Sequence, residues 1–187
     1  LPAARLAVHP RGARQMIHPS RLMEGTIAVY GEARARELYG EILPVPAQRV
    51  VEVPDGSVLQ LGRRGFQVLD TPGHARHPVC YRDERRGPVC SGDPFGLSSR
   101  ERDADGRCAI FPAPPPLHFD PPALHASIDR ILALRPEALY LTHFGQVRDV
   151  PRLGADLHRL IDAHAALGRQ LRDAGARRNR LLREGLR

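Results

Sequence analysis

Three short stretches carry side chains that could do chemistry together: Leu69-Asp70-Thr71-Pro72-Gly73-His74, Val89-Cys90-Ser91-Gly92-Asp93 and Tyr140-Leu141-Thr142-His143. Each reads as a strand that runs into a tight turn with an imidazole or a carboxylate at its tip. Glycine beside the tip residue lets the backbone turn sharply where the strand ends. Nitrogen and carboxylate donors together suit zinc, iron or manganese, and an ion with an open coordination position lowers the pKa of a bound water enough for hydrolysis. Taken singly, His74 reads as a loop histidine and Asp93 as a turn or cap residue. Competing catalytic schemes find less support: Gly96-Leu97-Ser98-Ser99-Arg100 lacks the last glycine of a nucleophile elbow, and no glycine-rich phosphate loop occurs.

The elements that must hold these tips follow from periodicity and breakers. Arg5 to His9 alternates like a strand, Pro10-Arg11-Gly12 breaks it, and a short helical stretch runs to Ile17. Glu32 to Tyr39 is a helix ended by Gly40. From Val50 the pattern turns to β, with a three-strand meander through Val53, Ser57 to Leu61 and Phe66 to Leu69. Val79-Cys80-Tyr81 and Pro88 to Ser91 add two strands. Phe111 to Pro122 contains six prolines, which predicts an extended loop. Asp120 then caps a helix whose apolar face is Leu124, Ile128, Ile131 and Leu132, stopped by Arg135-Pro136. A short strand at Leu139 to Leu141, a helix through Leu157, Leu160, Ile161 and Leu167, and a final basic helix from Arg169 to Glu184 complete the pattern. The class is α/β, with helices covering a sheet face; the expected division is residues 1–150 as the main domain and 151–187 as an arginine-rich helical extension.

Composition narrows the function classes. A chain of 187 residues is long enough to bury one ordinary core. Its formal charge of +7 comes from arginine alone, with no lysine, which fits a coding bias better than a polyanion partner. The arginines crowd toward the C-terminus, from Arg169 to Arg187, without interleaved aromatics, so they read as a solvated helix face and not as a nucleic-acid platform. Three cysteines without C-x-x-C spacing indicate neither a disulfide framework nor a cysteine zinc site. Cys80 and Cys90 read as small buried hydrophobes. No apolar run is long enough to cross a bilayer, and the expected setting is the reducing cytoplasm.

Thr71-Pro72-Gly73-His74, Ser91-Gly92-Asp93 and Leu141-Thr142-His143, in this order and at these separations, resemble the later metal motifs of the metallo-β-lactamase superfamily. The glyoxalase II-like hydrolases within it are similar around Val79-Cys80-Tyr81 as well. The resemblance covers Leu1 to about Val147. It implies an αββα sandwich and a two-ion site, zinc being favoured over iron or manganese. In that site His74 binds the first metal, Asp93 bridges both, and His143 binds the second. Hydroxide held between the ions then attacks an ester, thioester, lactone or amide carbonyl of a small-molecule substrate. His77, Tyr140 and Thr142 are candidates for supporting the site, and His118 for reaching substrate.

The departures from the family pattern are as informative. Its His-x-His-x-Asp-His segment is absent, since His9 and His18 have no such neighbours, and the expected place for it is just upstream of Leu1. The sandwich is therefore expected to be incomplete, the chain inactive by itself, and its unpaired strand edges prone to self-association. A catalytically dead fragment or paralogue with a structural or binding role is the first rival expectation, and a nucleic-acid-binding module using the arginine-rich tail is the second. Pro78 stands where glyoxalase II-like proteins commonly carry a second histidine, which leaves His77 out of register, and Pro94 follows the bridging aspartate. His125, His158 and His164 are expected on exposed helix surfaces.

Overall fold

The computed structural model describes residues 3–85, 87–103, 105–114 and 119–185. It begins with β1 (Leu6–Val8) and α1 (Pro10–Ile17). Pro10 starts this helix instead of breaking the chain: a proline at the first helical position loses no intrahelical bond, and His9 caps it, its Nδ1 accepting from the Arg11 backbone N–H at 3.0 Å. α2 (Ser20–Tyr30) and α3 (Glu32–Tyr39) follow, separated by Gly31. α2 was not legible in sequence; it has no capping side chain and buries none of its residues, so its apolar positions carry no clear stripe.

β2 (Val50–Glu52) pairs in parallel with β1, giving a two-stranded sheet with Leu6 opposite Val50. This corrects the three-strand meander: Pro54 and the turn at Asp55-Gly56 separate β2 from the hairpin of β3 (Val58–Leu61) and β4 (Arg64–Asp70). β5 (Val79–Asp83) and β6 (Val89–Cys90) continue antiparallel from β4. After the proline-rich stretch come α4 (Pro121–Ala133), β7 (Leu139–Tyr140), β8 (Gln146–Val147) and α5 (Val150–Gln170). The six-stranded sheet has the order β3-β4-β5-β6-β7-β8 and is mixed, because β7 joins β6 in parallel. The expected single basic helix is two elements: α5 ends at Gln170, and after a turn α6 (Arg178–Gly185) forms apart from it.

One core lies between this sheet and two helices. Leu69, Cys80, Val89, Leu139 and Val147 from five strands meet Leu124, Ile128 and Ile131 of α4 and Leu153, Leu157 and Ile161 of α5. The spacing of three and four residues on each helix is what places these side chains on one face. Gly154 lets α5 come close, since a Cβ there would stand 2.8 Å from Leu132 Cδ1. Val68 and Leu69 point to opposite faces of β4, and both are buried, so the sheet is covered on both sides at that strand. Cys80 is buried, as expected, whereas Cys90 is exposed at the short end of β6. All three thiols are free.

Candidate metal centre

Strand polarity decides where the three tips emerge. β5 runs against β4 and β6 runs against β5, so β4 and β6 point the same way, and β7 is parallel to β6. The C-terminal ends of β4, β6 and β7 therefore open on one edge of the sheet. Asp70, Cys90 and Tyr140 close those strands, and His74, Asp93 and His143 lie a few residues beyond each.

Each tip has its own local cause. At the first, Thr71 N–H and Oγ1 both donate to the Pro78 carbonyl, at 3.0 and 3.3 Å, which pinches residues 71–78 into a closed loop. Gly73 is at φ +124, a conformation that L side chains rarely adopt, and a Cβ there would lie 2.2 Å from the Leu124 backbone nitrogen. α4 is thus seated directly on the tip. Its Asp120 N–H donates to the Gly73 carbonyl, Ser127 Oγ to Pro72 and Arg130 Nη1 to Asp70, at 2.9, 2.6 and 3.0 Å. At the second tip, Gly92 at φ +60 leads into a short 3-10 turn, Asp93–Phe95, and Phe95 plugs the core. Ser91 N–H donates to the Tyr140 carbonyl at 3.0 Å, tying the second tip to the third. There Leu141 N–H donates to the Gly145 carbonyl at 3.0 Å, and Phe144 is held at φ 68, an uncommon conformation for a bulky side chain.

The result is convergence. His74 Nε2 lies 3.6 Å from Asp93 Oδ2, and His143 Nε2 lies 3.5 Å from Asp93 Oδ1. The two imidazoles address different oxygens of one carboxylate. Asp93 Oδ1 is buried with no hydrogen-bond partner, which costs free energy unless something else satisfies it. Two donors held about 2.1 Å from a common ion at a tetrahedral angle stand about 3.4 Å apart, so these separations suit nitrogen and oxygen ligands that share an ion. Burial pulls the His74 pKa below its ordinary value, against the attraction of Asp93 and a hydrogen bond to the Ala113 backbone, and nearby His143 lowers it further. The neutral imidazole that burial favours is the form that ligates metals. Exposure grades outward, the His74 side chain being 12% exposed, Asp93 32% and His143 53%. As they stand, no group of three His, Cys, Asp or Glu side chains among the described residues is arranged to hold an ion. The trio is therefore a partial donor set that fits a metal only with ligands added to it.

The supporting candidates divide. Tyr140 lies at the end of β7, its hydroxyl accepting from Gln146 Nε2 at 3.2 Å. Thr142 is exposed beside His143. His77 lies beside α1, its ring 3.7 Å from where a Gly12 Cβ would be. His118 lies outside the described residues. The structure adds a neighbour that sequence reasoning left without a role. His9, 8% exposed, brings Nε2 to 3.5 Å from Asp70 Oδ1, a second buried carboxylate oxygen without a hydrogen-bond partner. The histidine before Pro10 was its only sequence signal.

The sequence pattern of the Metallo-beta-lactamase superfamily matches residues 3–143. No curated protein matches the chain. Its backbone is similar to that of an archaeal metallo-beta-lactamase superfamily protein from Sulfolobus tokodaii, with TM-score 0.66 and 22% identity over 83% of this chain and 57% of that one. A metallo-beta-lactamase family protein from Thermus thermophilus gives 0.61 and 21% over 90% of this chain and 56% of its own. A chemotaxis sensor solved as a peroxy diiron species gives 0.51 and 13%, over 83% and 59%. These likenesses establish the fold, and the chain spans little more than half the length of each of these three structures.

Proposed function

The chain belongs to the metallo-β-lactamase superfamily, and from that membership we propose that it serves a metal-dependent hydrolase of ester, thioester, lactone or amide bonds. His74, Asp93 and His143 are its share of a two-ion centre. The observation that carries this reading is the Asp93 carboxylate set between two imidazoles, one oxygen toward each, with Oδ1 buried and lacking a hydrogen bond. Zinc suits these donors, and so do iron and manganese. When bound, the metal supplies a water of lowered pKa and an electrophile for the carbonyl oxygen.

What the chain's own residues do follows from their placement. Asp93 gives one oxygen to each side and holds the two halves of the site in register. Half-buried His74, whose pKa burial lowers against the pull of Asp93, is biased toward the form with a free lone pair, whereas exposed His143 leaves its side open to substrate. α4, locked to the Pro72 and Gly73 carbonyls, fixes the His74 tip, and the Ser91 hydrogen bond to Tyr140 fixes Asp93 relative to His143. Two imidazoles and one shared carboxylate give each ion fewer protein ligands than the usual three or more, so further donors from a His-x-His-x-Asp-His segment complete the centre.

Titration of the purified chain with zinc, followed by elemental analysis after gel filtration, tests this. The expected result is less than one retained ion per chain and no thioester hydrolysis above background. Fusing a family His-x-His-x-Asp-His segment ahead of residue 3 raises the retained zinc, and His74→Ala or Asp93→Asn removes that gain. Zinc held stoichiometrically by the chain alone and lost in His74→Ala would contradict the shared-centre reading. A fused chain no better at binding than the chain alone would favour a shape kept without turnover.

A further inference from the structure

Away from the candidate metal centre, four titratable side chains meet between the two helices that carry the core. His125 and Asp129 are one turn apart on α4, and His158 and Asp162 one turn apart on α5. They connect crosswise. His125 Nε2 reaches Asp162 Oδ1 at 3.1 Å, His158 Nε2 reaches Asp129 Oδ1 at 3.0 Å, and the two Nδ1 atoms face each other at 2.5 Å. The ring centroids are 4.8 Å apart with 15° between planes. With 2.5 Å of that span lying between the nitrogens, little remains beyond the two half-rings. The imidazoles thus meet edge to edge, nearly in one plane, with Nδ1 aimed at Nδ1.

Proton counting makes this arrangement selective. A carboxylate only accepts, so each Nε2 that bonds to one must carry its hydrogen. Both Nδ1 atoms then present a lone pair, and a contact this short is attractive only with a proton between them. Two neutral imidazoles have one hydrogen too few: moving a hydrogen to one Nδ1 would leave that ring's Nε2 lone pair against a carboxylate. The four donors also lie in a line, not around a point, and among the described residues none of the groups is arranged to hold an ion. The other charged neighbours are engaged elsewhere. Arg130 of α4 holds Asp55 and the Asp70 carbonyl, Arg152 and Arg159 of α5 hold Asp156, and Asp93 in the turn packed on α4 faces His74 and His143. No hydrogen bond or ion pair from an arginine of α4, α5 or α6 reaches the four side chains among the described residues.

We propose that His125 and His158 share one proton between their Nδ1 atoms, in a chain running Asp162–His125–His158–Asp129, and that this proton clamps α4 to α5 and couples the seating of the His74 tip to pH. The clamp takes one proton from water as it closes and returns it as it opens, with no other chemical change. Its reach to the tip is mechanical. The first two turns of α4 supply the contacts to Pro72 and Gly73, and His125 lies within those turns. The closed pair holds one proton more than two independent neutral rings and one fewer than two imidazolium rings, so its contribution is greatest between those limits, is lost as pH rises, and declines again in strong acid.

The test uses the whole chain with 15N-labelled histidine. A 15N–15N coupling across the hydrogen bond should join the Nδ1 atoms of His125 and His158 at acid pH and vanish as pH is raised. While it persists, protection of the α4 amides around Leu124 and Ile128, corrected for intrinsic exchange, should fall by about tenfold for each pH unit above the ordinary histidine value of about 6.5, the slope for one proton, and should level off once the coupling has gone. His158→Gln should abolish that slope while leaving the amides of β4 and β5 unchanged. Absence of the coupling at every pH from about 5 to 8 would overturn the proposal, and so would an identical α4 slope in His158→Gln. If that variant fails to fold, the coupling in the unaltered chain decides by itself.

Discussion

Side chains around the candidate site differ in chemistry because they differ in burial and in charged neighbours. Cys80 is enclosed, and loss of hydration pushes its thiol up to about 12, with the Thr71 hydrogen bond opposing. At mildly alkaline pH, alkylation followed by peptide mass mapping should mark Cys90 and Cys108 in the native chain and Cys80 only after denaturation, because the thiolate is the reactive form. Asp55 behaves in the opposite sense. The Arg130 guanidinium holds its carboxyl below the ordinary 3.8, and the same side chain accepts from the Asp70 N–H. A carboxyl whose pKa is depressed on folding adds stability above its unfolded value and loses it as pH falls through the folded one. Asp55→Asn should therefore cost a few tenths to about 1 kcal/mol near neutrality, the modest range of exposed pairs, and the gap from the unaltered chain should close below about pH 4. Urea titrations at several pH values read this directly.

Position, not chemical type, is what the elements contribute to the candidate site. Gly73 shows this most sharply, because backbone of α4 occupies the space where a side chain would be. Gly73→Ala should cost roughly 2–3 kcal/mol, from overpacking together with the strained backbone, and should lower zinc retention of the completed centre as the His74 tip shifts. Ile128, wholly buried between helix and sheet, should cost about 3 kcal/mol when cut to alanine while leaving Asp93 in place. Denaturation midpoints measure both losses, and metal retention separates a displaced tip from a merely weakened core.

On the scale of the whole molecule, β1 and β2 form, among the described residues, a sheet of only two parallel strands, although parallel strands are normally buried on both faces and flanked by others. The free edge of β1 is a template for pairing, so we expect the chain to self-associate reversibly. Leu6→Lys should shift sedimentation profiles toward the monomer, because charge on an edge strand opposes pairing. No helix among the described residues is long and apolar enough to cross a membrane. The arginines of α6 stay on an exposed helix, as their crowding without aromatics suggested. Local order encodes much of this: strands ending in turns, helices capped by Asp120 or stopped by Arg135-Pro136, and apolar residues at helical spacing are all written between near neighbours, and so were readable. α2 lacked such marks, and β2 resembled a meander strand because pairing partners leave no trace in a strand's own composition. The sequence by itself determined which residues could act as ligands and that each sits just past a strand. Only the tertiary structure decided that β4, β6 and β7 run the same way, so that the tips share an edge. It also joined His125 to His158 through helix packing, since contacts between residues far apart in the chain depend on how the elements assemble and not on any one element's pattern.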